Sequence, residues 1–160
     1  DIPRPIEIFL GRHAARKALK GTDRLEIAIR RAMAARPGAA RLTIVENRPY
    51  DEYLTLMRSA HLVVDQAYSY TPATNALLAM AHGIPVVSGA EPPFYYFLNT
   101  VEQPIINSPI DVDSMTTLFI HILDNPAMLA PLGAASRRFV LRHNAATTVA
   151  RRFLTFWQRP

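Results

Sequence analysis

The sequence predicts an α/β fold: a parallel sheet of about five strands with helices on both faces. Three observations predict it. Short apolar runs alternate with segments of helical period from Ile6 to Asp65, the βαβ rhythm of a covered parallel sheet. The stretch Tyr68–Gly89 reads as a loop, an apolar helix, a sharp stop and a buried strand. Hydrophobic residues make up 49% of the 160 and charged ones 19%, which suits one globular domain with a sizeable core and excludes a disordered chain.

In order, Ile6–Leu10 is the first strand, ending at Gly11. Arg12 to Gly21 is a polar loop carrying Arg12, His13, Arg16, Lys17 and Lys20. Asp23 and Glu26 have capping-box spacing, and Leu25, Ala28, Ile29, Ala32 and Met33 form the buried stripe of a helix that Pro37-Gly38 ends. Arg41–Val45 is the second strand, Tyr50–Ser59 a helix with Tyr53, Leu54 and Met57 inward, and His61–Asp65 the third strand.

The central segment follows. Thr71 is its expected N-cap, with Pro72 at the first helical position and Gly83 as the left-handed stop. Ala73, Ala76, Leu77, Leu78, Ala79, Met80 and Ala81 leave this helix almost no polar face, so burial on most sides is expected. Its free N–H groups then either meet an anion or are simply capped by Thr71. Ile84–Val87 is the fourth strand and Pro104–Asn107 an edge-like fifth, with the aromatic run Phe94–Phe97 between them as a packing segment. Met115, Leu118, Phe119, Ile122 and Leu123 mark a helix capped by Asp111 or Asp113. Pro126 restarts it, Pro131 with Gly133 is expected to break it, and Ala134–Arg142 resumes. A last helix spans Ala145 to Trp157, with Val149, Phe153, Phe156 and Trp157 on one face.

There are no cysteines, which excludes disulfides, thiolate zinc sites and cysteine nucleophiles and fits a cytoplasmic protein. No apolar run approaches transmembrane length and no secretory leader is visible. The formal charge of +5, almost all arginine on the basic side, favours anionic partners, such as a nucleotide diphosphate or an acidic membrane surface. No arginine block interleaved with aromatics supports nucleic-acid binding. The five histidines show no metal-ligand spacing. Asp65 reads as a turn-forming carboxylate with a functional role as the alternative, and His82 as a last-turn cation.

Leu78-Ala79-Met80-Ala81-His82-Gly83-Ile84-Pro85-Val86-Val87 resembles the Glu-Ala-Met-Ala-x-Gly-x-Pro-Val-Val signature of retaining GT-B glycosyltransferases of the family-4 type. Ile8–Arg12 followed by Leu19-Lys20-Gly21 is similar to their Val-Gly-Arg…Lys-Gly element, with a longer Arg–Lys gap. The resemblance covers nearly the whole chain. It implies a Rossmann-like C-terminal half of a two-domain protein, a start at Asp1 rather than Met being in keeping with a piece of one. It also implies a nucleotide-diphosphate sugar as donor, a glycan or lipid-linked acceptor held through a companion N-terminal domain, no metal, and no turnover by this part alone. By the same resemblance Arg12 and Lys20 hold the diphosphate. Ser69, Tyr70, Thr71 and Asn75 meet the donor phosphate and sugar, and Glu91 is a substitute acceptor for a ribose or sugar hydroxyl.

Two departures stand out. The family carries two glutamates where this chain has Tyr70 and Leu78, and leucine cannot accept a hydroxyl. One strand stands where the family usually has two with a helix between, in the region that helps shape the base pocket. The Ser69–Met80 stretch is similar to that of a branch of bacterial transferase-like proteins. A degenerate binding or scaffold module, or a nucleotide-sugar epimerase-type domain, is the alternative to a transferase.

Overall fold

A computed structural model describes residues 4–158. β1 (Ile6–Arg12) leads through a 3-10 turn at Ala14–Arg16 into the one-turn α1 (Lys17–Lys20) and then α2 (Thr22–Ala35). β2 (Ala40–Glu46), α3 (Tyr50–Arg58), β3 (Leu62–Val64), α4 (Thr74–Ala81), β4 (Val86–Ser88), α5 (Pro92–Phe97) and β5 (Ile106–Asn107) follow. α6 (Val112–Asp124), a 3-10 turn at Pro126–Met128, α7 (Leu129–His143) and α8 (Ala146–Trp157) complete the chain. The five strands are all parallel, in the order β2-β1-β3-β4-β5. The sequence-predicted sheet, its strand number and the helices on both faces are all present.

Alternation along the strands divides the core in two. Ile6, Ile8 and Leu10 of β1, Leu62 and Val64 of β3 and Val87 of β4 pack against α2 and α6, through Leu25, Ala28, Ile29, Met115, Phe119 and Ile122. Phe9, Val63 and Val86 point the other way, onto Met57 of α3, Ala76, Ala79 and Met80 of α4 and Phe139 of α7. Because successive side chains of a strand face opposite sides, one run of apolar residues serves both layers.

Several local expectations are corrected. Thr71 does not cap α4: the helix starts at Thr74 behind an extended Ala73 (ψ 174°), and the carboxylate of Asp65 takes the Ala73 N–H instead. α2 begins one residue before Asp23, after the left-handed Gly21 (φ 70°), so no Asp23–Glu26 box forms and Glu26 pairs with Arg12 and Arg30. The loop after β1 is partly helical, holding α1 and its preceding turn.

Pro131 and Gly133 do not break a helix, and α7 runs through both. Pro131 lies in the first turn, where its missing N–H has no intrahelical partner to lose. Gly133 lies where α7 meets the stop of α4: a Cβ there would be 2.1 Å from the Gly83 carbonyl oxygen. In α5 only Tyr95 of the aromatic run is buried, and Tyr96 and Phe97 face solvent. The expected apolar face of α8 exists, yet α8 buries no residue: Phe153, Phe156 and Trp157 are all exposed. Other helix and strand boundaries shift by one or two residues, while Asp111 caps α6 through the Ser114 N–H (2.8 Å) and Gly83 (φ 77°) stops α4 as expected.

Candidate functional site

In an open parallel sheet a crevice forms beyond the carboxyl ends of the strands where the order reverses. With β1 flanked by β2 and β3, connections leave in opposite directions from β1 and β3. The residues at that reversal are Arg12, which ends β1, the segment to Gly21 that follows it, and Gln66 to Ala73 after β3.

These loops are fastened to each other and to the loop after β4. The Lys20 carbonyl accepts the Ala67 N–H (2.9 Å), and the Gln66 carbonyl accepts the Gly89 N–H (2.7 Å). The Tyr70 carbonyl accepts the Glu91 N–H (3.0 Å). The buried Gln66 donates its amide to the Thr71 carbonyl (3.1 Å), and the Thr71 N–H donates to Ser69 Oγ (3.2 Å). Ala67, Tyr68, Ser69, Tyr70, Glu91 and Ile110 line a cleft of about 450 Å³.

The structure thus brings together Ser69, Tyr70 and Glu91 of the residues singled out in the sequence. Lys20 is joined to them through its backbone, and its ammonium lies near enough to Asp65 to stabilise that carboxylate. Thr71 is exposed beside the same loop, and Asn75 is half-buried at the second position of α4. Arg12 is engaged elsewhere. Its Nε donates to Glu46 (2.8 Å) and its Nη1 to Glu26, and these bonds and charges hold its pKa above the ordinary arginine value against the opposing effect of burial. Leu78, at one of the family's glutamate positions, packs against the apolar layer around α4.

Sequence reasoning missed four neighbours. Tyr68 opens the Tyr68–Gly89 stretch, with the Arg24 guanidinium over its ring (5.8 Å to the centroid) and its hydroxyl donating to the Ile110 carbonyl (3.4 Å). Ile110 and Asn107 arrive from beyond β4, some forty residues along the chain, and no local pattern joins them to Tyr70. The Tyr53 hydroxyl, against Gly11 at the end of β1, is buried with no partner among the described residues. Burial and the Asp65 charge push its pKa up to about 12.

Asp65 is 2% exposed and its Oδ2 accepts both the Ala73 N–H (2.9 Å) and the Ser88 hydroxyl (3.3 Å). Burial raises its pKa, while these bonds and Lys20 oppose the shift. A carboxyl raised in the folded state binds more protons there than in the unfolded chain. Stability therefore falls as pH rises from the unfolded to the folded value, and the ionised form gains nothing above it. Asp65→Asn, whose amide oxygen can accept both bonds, is expected to match or exceed the parent Tm at neutral pH. Asp65→Ala strands two donors and is expected to cost about 2–4 kcal/mol. Thermal melts of both variants at neutral and acidic pH check this, and equal losses would refute it.

Neither a protein-family model nor a curated protein matches the sequence. Solved structures do match it. Anabaena HepE, solved with UDP and glucose, superposes over 95% of this chain and 48% of its own with TM-score 0.68 at 13% identity. Sucrose-phosphate synthase from Thermosynechococcus elongatus covers 98% and 46% (TM-score 0.65, 22% identity). S. aureus TarM, solved with UDP, covers 94% and 35% (TM-score 0.63, 15% identity). These structures are GT-B glycosyltransferases, and at such identities the likeness is one of fold. This chain has the fold of a GT-B C-terminal-like domain and spans about half the length of the structures it resembles, or less.

Proposed function

We infer that this chain is the donor-binding part of a glycosyltransferase and takes a nucleotide-diphosphate sugar at the crevice beyond β1, β3 and β4. The observation that carries the reading is that Ser69, Tyr70 and Glu91 line one cleft beyond the carboxyl ends of the strands, with the backbone of Lys20 tied to the same loop. Two of the structures that share the fold were solved with UDP, which supports a nucleotide as the ligand.

The arrangement suits the chemistry. As the bond to the sugar breaks, the departing nucleoside diphosphate gains negative charge, and a fixed cation with nearby backbone N–H groups stabilises it without a metal. In this reading Lys20 is the cation that serves, supported by the bond of its carbonyl to the loop that lines the cleft. Arg12 reaches the diphosphate only by exchanging Glu46 or Glu26 for it, so its contribution is the smaller. Ser69, Tyr70, Thr71 and Asn75 meet phosphate and sugar oxygens, and Glu91 accepts a donor hydroxyl. The acceptor, a glycan or lipid-linked glycan, is held by a companion domain, and this chain alone turns over no sugar.

Calorimetric titration with UDP, GDP and ADP sugars tests the reading. One nucleotide class is expected to bind, Lys20→Ala to weaken it about tenfold or more, and Arg12→Ala to weaken it less while lowering Tm. Absence of binding by every donor, or binding indifferent to Lys20, would overturn it. The second reading, a degenerate binding module, is favoured by a half-buried Leu78 packed against the apolar layer where the family has a ribose-holding glutamate. Donor binding without transfer by the protein together with its companion domain would select it.

A further inference from the structure

We propose that Asn107 is the positioning residue that aims Glu91 at a sugar-ring hydroxyl of the bound donor. This inference rests on the donor-site reading above. Leu78 cannot accept a hydroxyl, and among the residues lining the cleft Glu91 is the sole carboxylate. A flexible glutamate at a cleft wall is a poor acceptor unless something fixes its rotamer, because ordering a long side chain opposes binding.

Asn107 supplies the fixing contact. It ends β5, whose pairing with β4 sets Asn107 beside Ser88, just before the loop that carries Glu91. Its Oδ1 accepts the Ala90 N–H (2.8 Å). That bond leaves its Nδ2 to donate to Glu91 Oε1 (3.1 Å). The backbone donor thus dictates which way the amide faces, since a carbonyl oxygen alone can meet an N–H. The Glu91 N–H is meanwhile held by the Tyr70 carbonyl (3.0 Å). Glu91 is therefore fixed at backbone and at one carboxylate oxygen, and Oε2 remains to accept a hydroxyl. Tyr70, exposed on the same cleft, supplies a flat face for the C–H side of a sugar ring. A carboxylate and an aromatic wall together suit a polyhydroxylated ring, either the ribose or the transferred hexose.

Asn107→Asp separates positioning from mere structure. The variant keeps an acceptor for the Ala90 N–H and replaces only the donor that faces Glu91. With both carboxylates ionised near pH 8, repulsion swings Glu91 away and donor affinity is expected to fall about fivefold. Near pH 5 one shared proton restores a hydrogen bond between them, and the loss is expected to shrink to about twofold or less. The parent is expected to show no such difference between the two pH values. In a Glu91→Gln background the Asn107→Asp substitution adds no pH dependence, because the amide donates to the new carboxylate at either pH.

Titration uses UDP-, GDP- and ADP-glucose on the 160-residue chain, with thermal melts confirming that each variant is folded. For the nucleotide that binds, the 2′-deoxyribose analogue and the 2-deoxyglucose analogue are compared. The analogue that loses affinity in the parent, but no further affinity in Glu91→Gln, names the ring that Glu91 meets. Equal affinity of Asn107→Asp and the parent at both pH values would overturn the role of Asn107 and leave the donor site standing. So would loss of affinity for neither analogue overturn the hydroxyl contact. No binding of any of the three donors by the parent would overturn both readings.

Discussion

Gly133→Ala is expected to lower Tm by about 6–16 °C, against the sign that helix propensity alone would give. Alanine in a helix interior is better than glycine by about 1 kcal/mol, so an unpacked Gly133 would gain stability on substitution. Gly133 is not unpacked. A Cβ there would lie 2.1 Å from the oxygen and 3.1 Å from the carbon of the Gly83 carbonyl, with Pro85 Cδ at 3.2 Å. All three atoms are backbone or proline ring, so no side chain can rotate out of the way. Relief requires α7 to move off the stop of α4, and that motion disturbs Phe139, a fully buried side chain in the layer shared with Met80. A shift of this kind costs about 3–4 kcal/mol, and for a chain of this size each kcal/mol lowers Tm by about 2–4 °C.

Gly38→Ala is the matched comparison. Gly38 has a left-handed φ of 76° and nothing within 4 Å of a new Cβ, so its penalty is conformational alone and is expected near 1 kcal/mol. Melts of the two variants beside the parent decide the matter. A Gly133→Ala chain that melts at or above the parent would show that the two helices part without penalty.

The same position shows what local sequence could and could not reveal. The elements whose evidence is periodic were legible. The alternating and continuous apolar runs of β1, β3 and β4 gave the sheet, and the stripe Leu25, Ala28, Ile29 and Ala32 gave the buried face of α2. Gly83 and Asp111 were legible as a stop and a cap because each acts within a few residues. Pro131 and Gly133 were not, because their meaning depends on what lies opposite: a first turn with no bond to lose, and the Gly83 carbonyl from another element.

The cap of α4 failed for a related reason. Asp65 reaches Ala73 across a loop, ahead of the adjacent Thr71, and the sheet is what puts the end of β3 under the start of α4. At the site, the loop that follows β3 and Glu91 were legible from the order of elements, since carboxyl-end loops of a parallel sheet converge. The partners that fix their state were not. Glu26 and Glu46 engage Arg12, and Asn107 holds Glu91, through contacts that only strand pairing and helix packing create.

Gly89→Ala is expected to weaken donor binding about tenfold or more and to lower Tm. Gly89 follows β4 and lies against the backbone of the loop that lines the cleft. A Cβ on it would lie 2.0 Å from the Ser69 carbonyl oxygen, 2.9 Å from the Ser69 carbonyl carbon and 3.2 Å from the Ala67 oxygen. Its backbone conformation is outside the left-handed region, so the whole effect is steric. The obstacle is again backbone, and here it is the backbone of the loop that lines the cleft. Ordinary carbon–oxygen contact requires that loop to retreat by about 1 Å or more.

That retreat cannot be absorbed locally. The Gly89 N–H bond to Gln66, the Gln66 amide bond to Thr71 and the Glu91 N–H bond to Tyr70 tie the loop at three points. Moving Ser69 therefore either breaks one of these bonds or carries Tyr70 and Glu91 out of register with each other. A misplacement of about 1 Å is enough to forfeit most of a hydrogen bond to a ligand. Titration with the donor that the parent binds reads the affinity. Hydrogen exchange at the amides of Ser69, Thr71 and Gly89 reads the loop, and faster exchange is expected at all three. Lys20→Ala, which leaves this packing alone, is expected to weaken binding with little change in loop exchange, while loss of its charge near Asp65 lowers Tm. If Gly89→Ala binds donor as tightly as the parent while its loop amides exchange faster, the loop is not part of the donor site.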